Sequence, residues 1–256
     1  MPLGDFTDQA KHYVNRPDYS QTVLQVLKNH IEAQNGSIQA VADVGAGTGK
    51  LTENLADLGL SGFAVEPNDA MREEGIKALG GRGFVWSAGT AETTGLPDNC
   101  VDWVLMGTAF HWVDAPAALQ EFYRILRPGG FFSPIWNLNN FMSDPLHMEI
   151  EKIKLRMGPD LKRFNSDFPA KMDNMGKIFR SSPYFGELFM TEASHPVTMS
   201  KESYIGLWRS ENSTQVLAED ERFEEFLKTV EEKISHLDKV VVPYLTRAFT
   251  VRSLKK

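Results

Sequence analysis

The sequence predicts an α/β fold: a mostly parallel sheet of seven strands, covered by helices and topped by a helical cap. Three observations lead there. From residue 39 onward, short β-rich runs alternate with helical stripes, the mark of βαβ units. The run Val41-Ala42-Asp43-Val44 meets Gly45-Ala46-Gly47-Thr48-Gly49 and then an amphipathic stretch, with Leu51, Leu55 and Leu58 at helical spacing. Strand, glycine turn and helix in that order bring backbone N–H groups up to a ligand. Finally, Pro145, Pro159, Pro169 and Pro183 cut residues 140–185 into short pieces, read as a cap rather than further sheet.

In chain order, residues 1–37 read as a helical lid. Thr22, Val23, Val26, Leu27 and Ile31 form a stripe that stops near Asn35-Gly36. Phe6, Tyr13, Arg16, Pro17 and Tyr19 precede it as an aromatic and basic cluster, and a Tyr/Arg pair suits a carboxylate. Strands are expected at 39–44, 61–66, 83–88, 101–106 and 130–136, and helices at 50–58, 69–79 and 115–127. The last helix stops at Arg127-Pro128-Gly129-Gly130. Strands 187–195 and 244–251 enclose helices at 201–210 and 219–236. The whole is one domain, with a cofactor-binding core at 38–137 and substrate-side cap elements at 140–185 and 200–237.

Composition narrows the function. A net charge of −7 disfavours a nucleic-acid backbone or an anionic membrane as the main partner. One cysteine, Cys100, excludes an internal disulfide, and no Cys/His cluster suggests a metal. No run of about 18 apolar residues is present to span a bilayer, so a reducing cytoplasmic setting is expected.

Ligands of parallel sheets bind beyond the carboxyl ends of the strands. Those ends carry Asp43, Glu66, Ala88–Glu92 and Met106–His111. A dinucleotide fingerprint G-x-G-x-x-G would need glycine at position 50, where Lys50 stands. That weakens the competing reading of a nicotinamide-dependent Rossmann oxidoreductase. Glu66 follows Asp43 by 23 residues, where a carboxylate accepts hydrogen bonds from ribose hydroxyls.

Asp43-Val44-Gly45-Ala46-Gly47-Thr48-Gly49 resembles the D/E-x-G-x-G-x-G motif of class I S-adenosylmethionine-dependent methyltransferases. Val65-Glu66-Pro67-Asn68-Asp69-Ala70-Met71 is similar to their second motif, Gly89-Thr90-Ala91-Glu92 to their third, and Leu126-Arg127-Pro128-Gly129-Gly130 to the turn before their fifth strand. The flanks Tyr13–Tyr19 and Ala109–Asp114 resemble the type 11 branch that includes trans-aconitate- and ubiquinone-biosynthesis-type enzymes.

The resemblance implies a Rossmann-like sheet with its last strand antiparallel and S-adenosyl-L-methionine as cofactor. It places Gly45, Ala46 and Gly47 beneath the methionine part, with Asp43 toward its ammonium. Glu66 takes the ribose, Pro67 and Met71 pack on the adenine, and Thr90, Ala91 and Glu92 line its edge. Thr90 departs from the family's usual acidic residue. Tyr13, Arg16, Gly107 and Thr108 complete the cofactor side. Tyr19, His111, Trp112, Trp136, Asn137, Trp208 and Arg209 are candidate walls of an acceptor pocket, and His111 is the candidate general base. The acceptor is expected to be a small molecule, a carboxylate among the candidates, and the protein a monomer or homodimer. A non-catalytic S-adenosylmethionine-binding protein would carry the same binding motifs.

Overall fold

The computed structural model describes residues 16–157, 168–210 and 221–256. Among them, five parallel strands form one side of the sheet: β1 (Val41–Val44), β2 (Gly62–Val65), β3 (Phe84–Ser87), β4 (Val101–Gly107) and β5 (Leu126–Asn139). Two long strands, β6 (Phe185–Met199) and β7 (Val240–Ser253), complete it. The order is β3-β2-β1-β4-β5-β7-β6, and β7 runs antiparallel to both neighbours. The strand order reverses between β1 and β4, which pair directly with Asp43 opposite Leu105. In an open α/β sheet that reversal opens a crevice at the carboxyl ends, and the glycine turn lies there.

The helices follow from their stripes and caps. Helix α1 (Gln21–Asn35) starts at Ser20 and buries Val23, Leu24, Leu27 and Ile31. Helices α2 (Lys50–Asp57) and α3 (Asp69–Leu79) follow β1 and β2, and the Asn68 side chain caps α3 by accepting from the Met71 N–H. Helix α4 (Ala115–Ile125) starts at Asp114, whose carboxylate accepts from the Ala117 N–H. α1 and α2 pack on one sheet face against Trp103, Leu105 and Ile135, and α4 packs on the other against Val104, Met106 and Phe132.

Within 140–185 the helices take different partners. Helix α5 (Pro145–Met157) joins α7 (Lys201–Ser210) and α8 (Glu221–Ile234) around an aromatic core of Phe141, Tyr204, Trp208 and Phe226. Helix α6 (Phe168–Ser181) instead lays Met172, Met175 and Phe179 on the sheet face beside α4. Strands β6 and β7 extend well past the expected 187–195 and 244–251. Pro196 and Pro243, which weaken a strand signal in sequence, lie opposite one another in the ladder. β6 is the sheet edge, where a missing N–H does no harm, and the Pro243 carbonyl still accepts from the Asn140 N–H at 2.9 Å. No described helix is long and apolar enough to cross a membrane.

Candidate cofactor and acceptor site

The glycine turn is shaped by positive backbone angles, +71° at Gly45 and +57° at Gly47, which residues with a Cβ adopt reluctantly. The Gly45 and Ala46 N–H groups donate to the Val65 carbonyl at 2.8 and 3.1 Å, which ties the turn to the end of β2. Gly47 turns its N–H to Glu66 Oε2 at 2.8 Å, and Asn68 N–H donates to Glu66 Oε1 at 2.9 Å. One carboxylate thus joins the first two motifs. Glu66 is 7% exposed, and burial raises its carboxyl above the usual range. The Asn68 and Gly47 N–H bonds and the Arg72 charge hold that rise back.

Asp43 lies beneath this turn with no solvent exposure. Its Oδ2 accepts from the Thr52 hydroxyl at 2.6 Å, while its buried Oδ1 has no hydrogen-bond partner. Burial pushes the carboxyl up to about 7; the Thr52 hydroxyl opposes that, and the Glu66 charge adds to it. A desolvated carboxylate with an orphaned oxygen gains most from a cation placed beside it. Met71 is buried and reaches the turn, its Cε 3.9 Å from where a Gly47 Cβ would stand. Pro67 is exposed.

The third motif loop follows β3. Thr90 is exposed and folds back on the loop, its Oγ1 accepting from the Thr93 N–H at 3.2 Å. Ala91 is buried, and Glu92 accepts from the Asp114 N–H at 3.0 Å, so it braces the start of α4. Thr94 anchors the loop: its N–H and hydroxyl both donate to Glu121 on α4, at 2.8 and 2.6 Å. Glu121 is bonded to Arg124 as well, and together these bonds outweigh burial and hold its carboxyl down at about 2.

At the end of β4 the chain makes a strained exit. Thr108 holds a φ of +50°, unusual for a β-branched residue, and its Oγ1 is 3.0 Å from the Tyr19 hydroxyl. A Cβ at Gly107 would come within 2.6 Å of that hydroxyl, so only glycine admits the Tyr19 ring. Tyr19 is itself fixed by its N–H to Asn54 Oδ1 at 2.9 Å. Asn137, on β5, donates to the Asp18 carbonyl at 2.7 Å and accepts from Thr246 Oγ1 at 2.6 Å; Thr246 in turn accepts from the Ser20 N–H at 3.2 Å. Residues 18–20 are thus docked over the carboxyl end of the sheet. His195 reaches the Asp18 carbonyl at 3.0 Å, and its bond to the Asp18 side chain lowers that carboxyl.

The turn Phe110–Trp112 follows, with His111 half-buried and Trp112 exposed. Trp136 is fully buried, and its indole N–H donates to His111 Nδ1 at 3.2 Å.

Two candidates lie elsewhere. Trp208 is buried in the α5/α7/α8 core, and Arg209 pairs with Glu224 through two bonds of 2.6 and 3.0 Å. Arg16 is half-buried at the head of the docked segment, and Tyr13 lies outside the described residues. Sequence reading passed over Thr52, Thr94, Asn54 and Thr246. A hydroxyl in the first turn of α2 was the one available hint for Thr52; the others act through tertiary contacts. Among the described residues no His/Cys/Asp/Glu group could hold a metal ion.

Comparison with known proteins agrees with this arrangement. The methyltransferase domain family matches residues 42–133, from β1 into β5. The uncharacterized methyltransferase Rv3342 of Mycobacterium tuberculosis is 47% identical over 97 residues, which span 38% of this chain and 39% of that protein. The uncharacterized methyltransferase-like protein C25B8.10 of Schizosaccharomyces pombe is 27% identical over 95% of this chain and 93% of its own. A protein provisionally classed as a type II methyltransferase from Anaeromyxobacter dehalogenans superposes with a TM-score of 0.60 at 19% identity, covering 94% of this chain and 97% of that one. Residues 42–133 match the methyltransferase domain family, and the chain around them shares the fold of the class I methyltransferase structures it superposes on.

Proposed function

We propose that this protein transfers a methyl group from S-adenosyl-L-methionine to a small-molecule acceptor, with a carboxylate as the leading class. One observation carries the cofactor reading: the buried, unpartnered Oδ1 of Asp43 beside a glycine turn that Glu66 holds open. That donor set fits a ligand with an ammonium at one end and a ribose diol further along. Asp43 would hold the ammonium, Glu66 the diol through its remaining lone pairs, Met71 one face of the adenine, and the Ala91 backbone its edge. When bound, the cofactor supplies a sulfonium methyl group, which an acceptor lone pair displaces in line.

On this reading the segment up to residue 37 acts as a lid, and α5, α7 and α8 form the substrate-side cap. Arg16, next to the docked Pro17–Tyr19, or Arg209, which pairs with Glu224, is the cation assigned to an acceptor carboxylate. The acidic net charge accords with a small-molecule acceptor rather than nucleic acid. We place the protein in the cytoplasm as a monomer or homodimer. Incubation with S-adenosylmethionine and a panel of small carboxylates, amines and phenols, followed by S-adenosylhomocysteine release, tests the activity. Release with a carboxylate supports the full proposal, release with an amine or phenol alone overturns the acceptor class, and no release with any acceptor overturns the enzyme.

A further inference from the structure

Thr52 and Asp43 are both fully buried, and the bond between them uses only one of the two carboxyl oxygens. Within a helix a threonine hydroxyl ordinarily turns back to the carbonyl four residues earlier. Thr52, in the first turn of α2, instead donates to Asp43 Oδ2 on β1 at 2.6 Å. Asp43 Oδ1 is left bare. The ladder puts this carboxyl at the reversal of strand order, with Asp43 opposite Ala64 on β2 and Leu105 on β4. That is where an open α/β sheet meets its ligand.

Two influences oppose charge on Asp43: its burial, and the charge of Glu66 just past the end of β2. What favours the charge is Thr52, through its hydroxyl and its backbone N–H. A hydroxyl serves either state, donating to a carboxylate and accepting from a carboxylic acid. In the acid form the proton therefore belongs on Oδ2, facing Thr52 Oγ1, because on Oδ1 it would be a buried donor without an acceptor. Oδ1 keeps its lone pairs in both states.

We propose that Thr52 is a positioning residue: it engages Asp43 Oδ2 in both protonation states and so presents Oδ1 to the ammonium of the bound cofactor. The inference rests on the methyltransferase reading above, and it makes Thr52 a determinant of the preference for ligands that carry that ammonium.

The test follows the Asp43 carboxyl carbon by NMR through a pH titration of the ligand-free protein, in wild type, Thr52→Val and Thr52→Ser. Thr52→Val keeps the shape and removes the donor, so the midpoint should move up from about 7, while Thr52→Ser should stay near wild type. Calorimetry near pH 7 then compares S-adenosylhomocysteine with its analogue lacking the α-amino group. Thr52→Val should bind S-adenosylhomocysteine roughly tenfold more weakly and release a larger fraction of a proton on binding; Thr52→Ser should restore both. The analogue should bind wild type and Thr52→Val alike. An unmoved midpoint in Thr52→Val, or an equal loss of affinity for both ligands, overturns the proposal. Should Thr52→Val fail to fold, Thr52→Ala gives the same comparison. Normal wild-type binding with an unmoved midpoint removes Thr52 and leaves the cofactor reading standing. No binding by the wild type removes the cofactor reading and the proposal built on it, whatever the midpoint does.

Discussion

The carboxyl edge of β1–β4 and the layer of α5, α7 and α8 are built from different kinds of side chain. At the edge, Asp43 is fully buried with one oxygen unsatisfied, and Thr108 is held at a positive φ. In the helical layer, Phe141, Tyr204, Trp208 and Phe226 pack ring against ring, and Arg209 is neutralised by Glu224. The edge proposed to meet a ligand joins a positive-φ residue to a buried carboxylate oxygen without a partner, while the helical layer rests on ring packing with one buried imidazole nitrogen, His147 Nε2, unsatisfied. Each of the following experiments asks whether that division is real.

Trp208→Ala should produce the largest loss of stability, about 3–5 kcal/mol by chemical denaturation, since it empties the centre of an aromatic core. The folded fraction should still bind S-adenosylhomocysteine with near wild-type affinity. A parallel loss of affinity would show that layer and edge act as one unit.

Asp43→Asn should do the reverse. The native carboxyl is raised from 3.8 to about 7, so its contribution to stability is complete below about pH 4 and is lost as the pH rises through 7. Full ionisation corresponds to roughly 4 kcal/mol as an upper bound. The ligand-free protein should therefore lose stability between about pH 4 and 7, and Asp43→Asn should flatten that slope while it weakens ligand binding. Burial raises Glu66 in the same direction, so a residual slope of the same sign remains. A slope unchanged by Asp43→Asn would remove Asp43 as its source.

Glu66→Ala should weaken S-adenosylhomocysteine binding by about 1–3 kcal/mol, because it deletes charge-assisted bonds to the ligand and frees the Gly47 and Asn68 N–H groups. Unchanged affinity in calorimetry would take Glu66 out of the site. Arg209→Ala should be the mildest, within about 1 kcal/mol of wild type in thermal unfolding and silent in cofactor binding, as expected of a surface ion pair. A clear change in cofactor affinity would bring α7 into the cofactor site.

The same division explains what the sequence made legible. The parallel strands and their glycine turn could be read because local pattern and tertiary role coincide there: the β1 run leads into glycine, and Glu66 and Asn68, two positions apart, bond to one another. The long C-terminal ladder was underestimated because Pro196 and Pro243 interrupt the local signal, and only the sheet edge and the facing Asn140 make them harmless. α6 was grouped with the cap because its Met172, Met175 and Phe179 stripe does not name its partner; the sheet face supplies it. The bracing of the cofactor edge by Thr52, Thr94, Asn54 and Thr246 depends on contacts between residues 9 to 226 positions apart, which no local pattern encodes.

The central claim is that Asp43 waits, desolvated and partly protonated, for the ammonium of S-adenosylmethionine. Calorimetric titration with S-adenosylhomocysteine near pH 7, repeated in buffers of differing ionisation enthalpy, tests it most directly. A cation beside Asp43 favours its charged form, so binding should be saturable at one site per chain and should release a fraction of a proton, with the release absent in Asp43→Asn. Saturable binding without proton release would contradict the role given to Asp43, and no saturable binding would contradict the cofactor assignment itself.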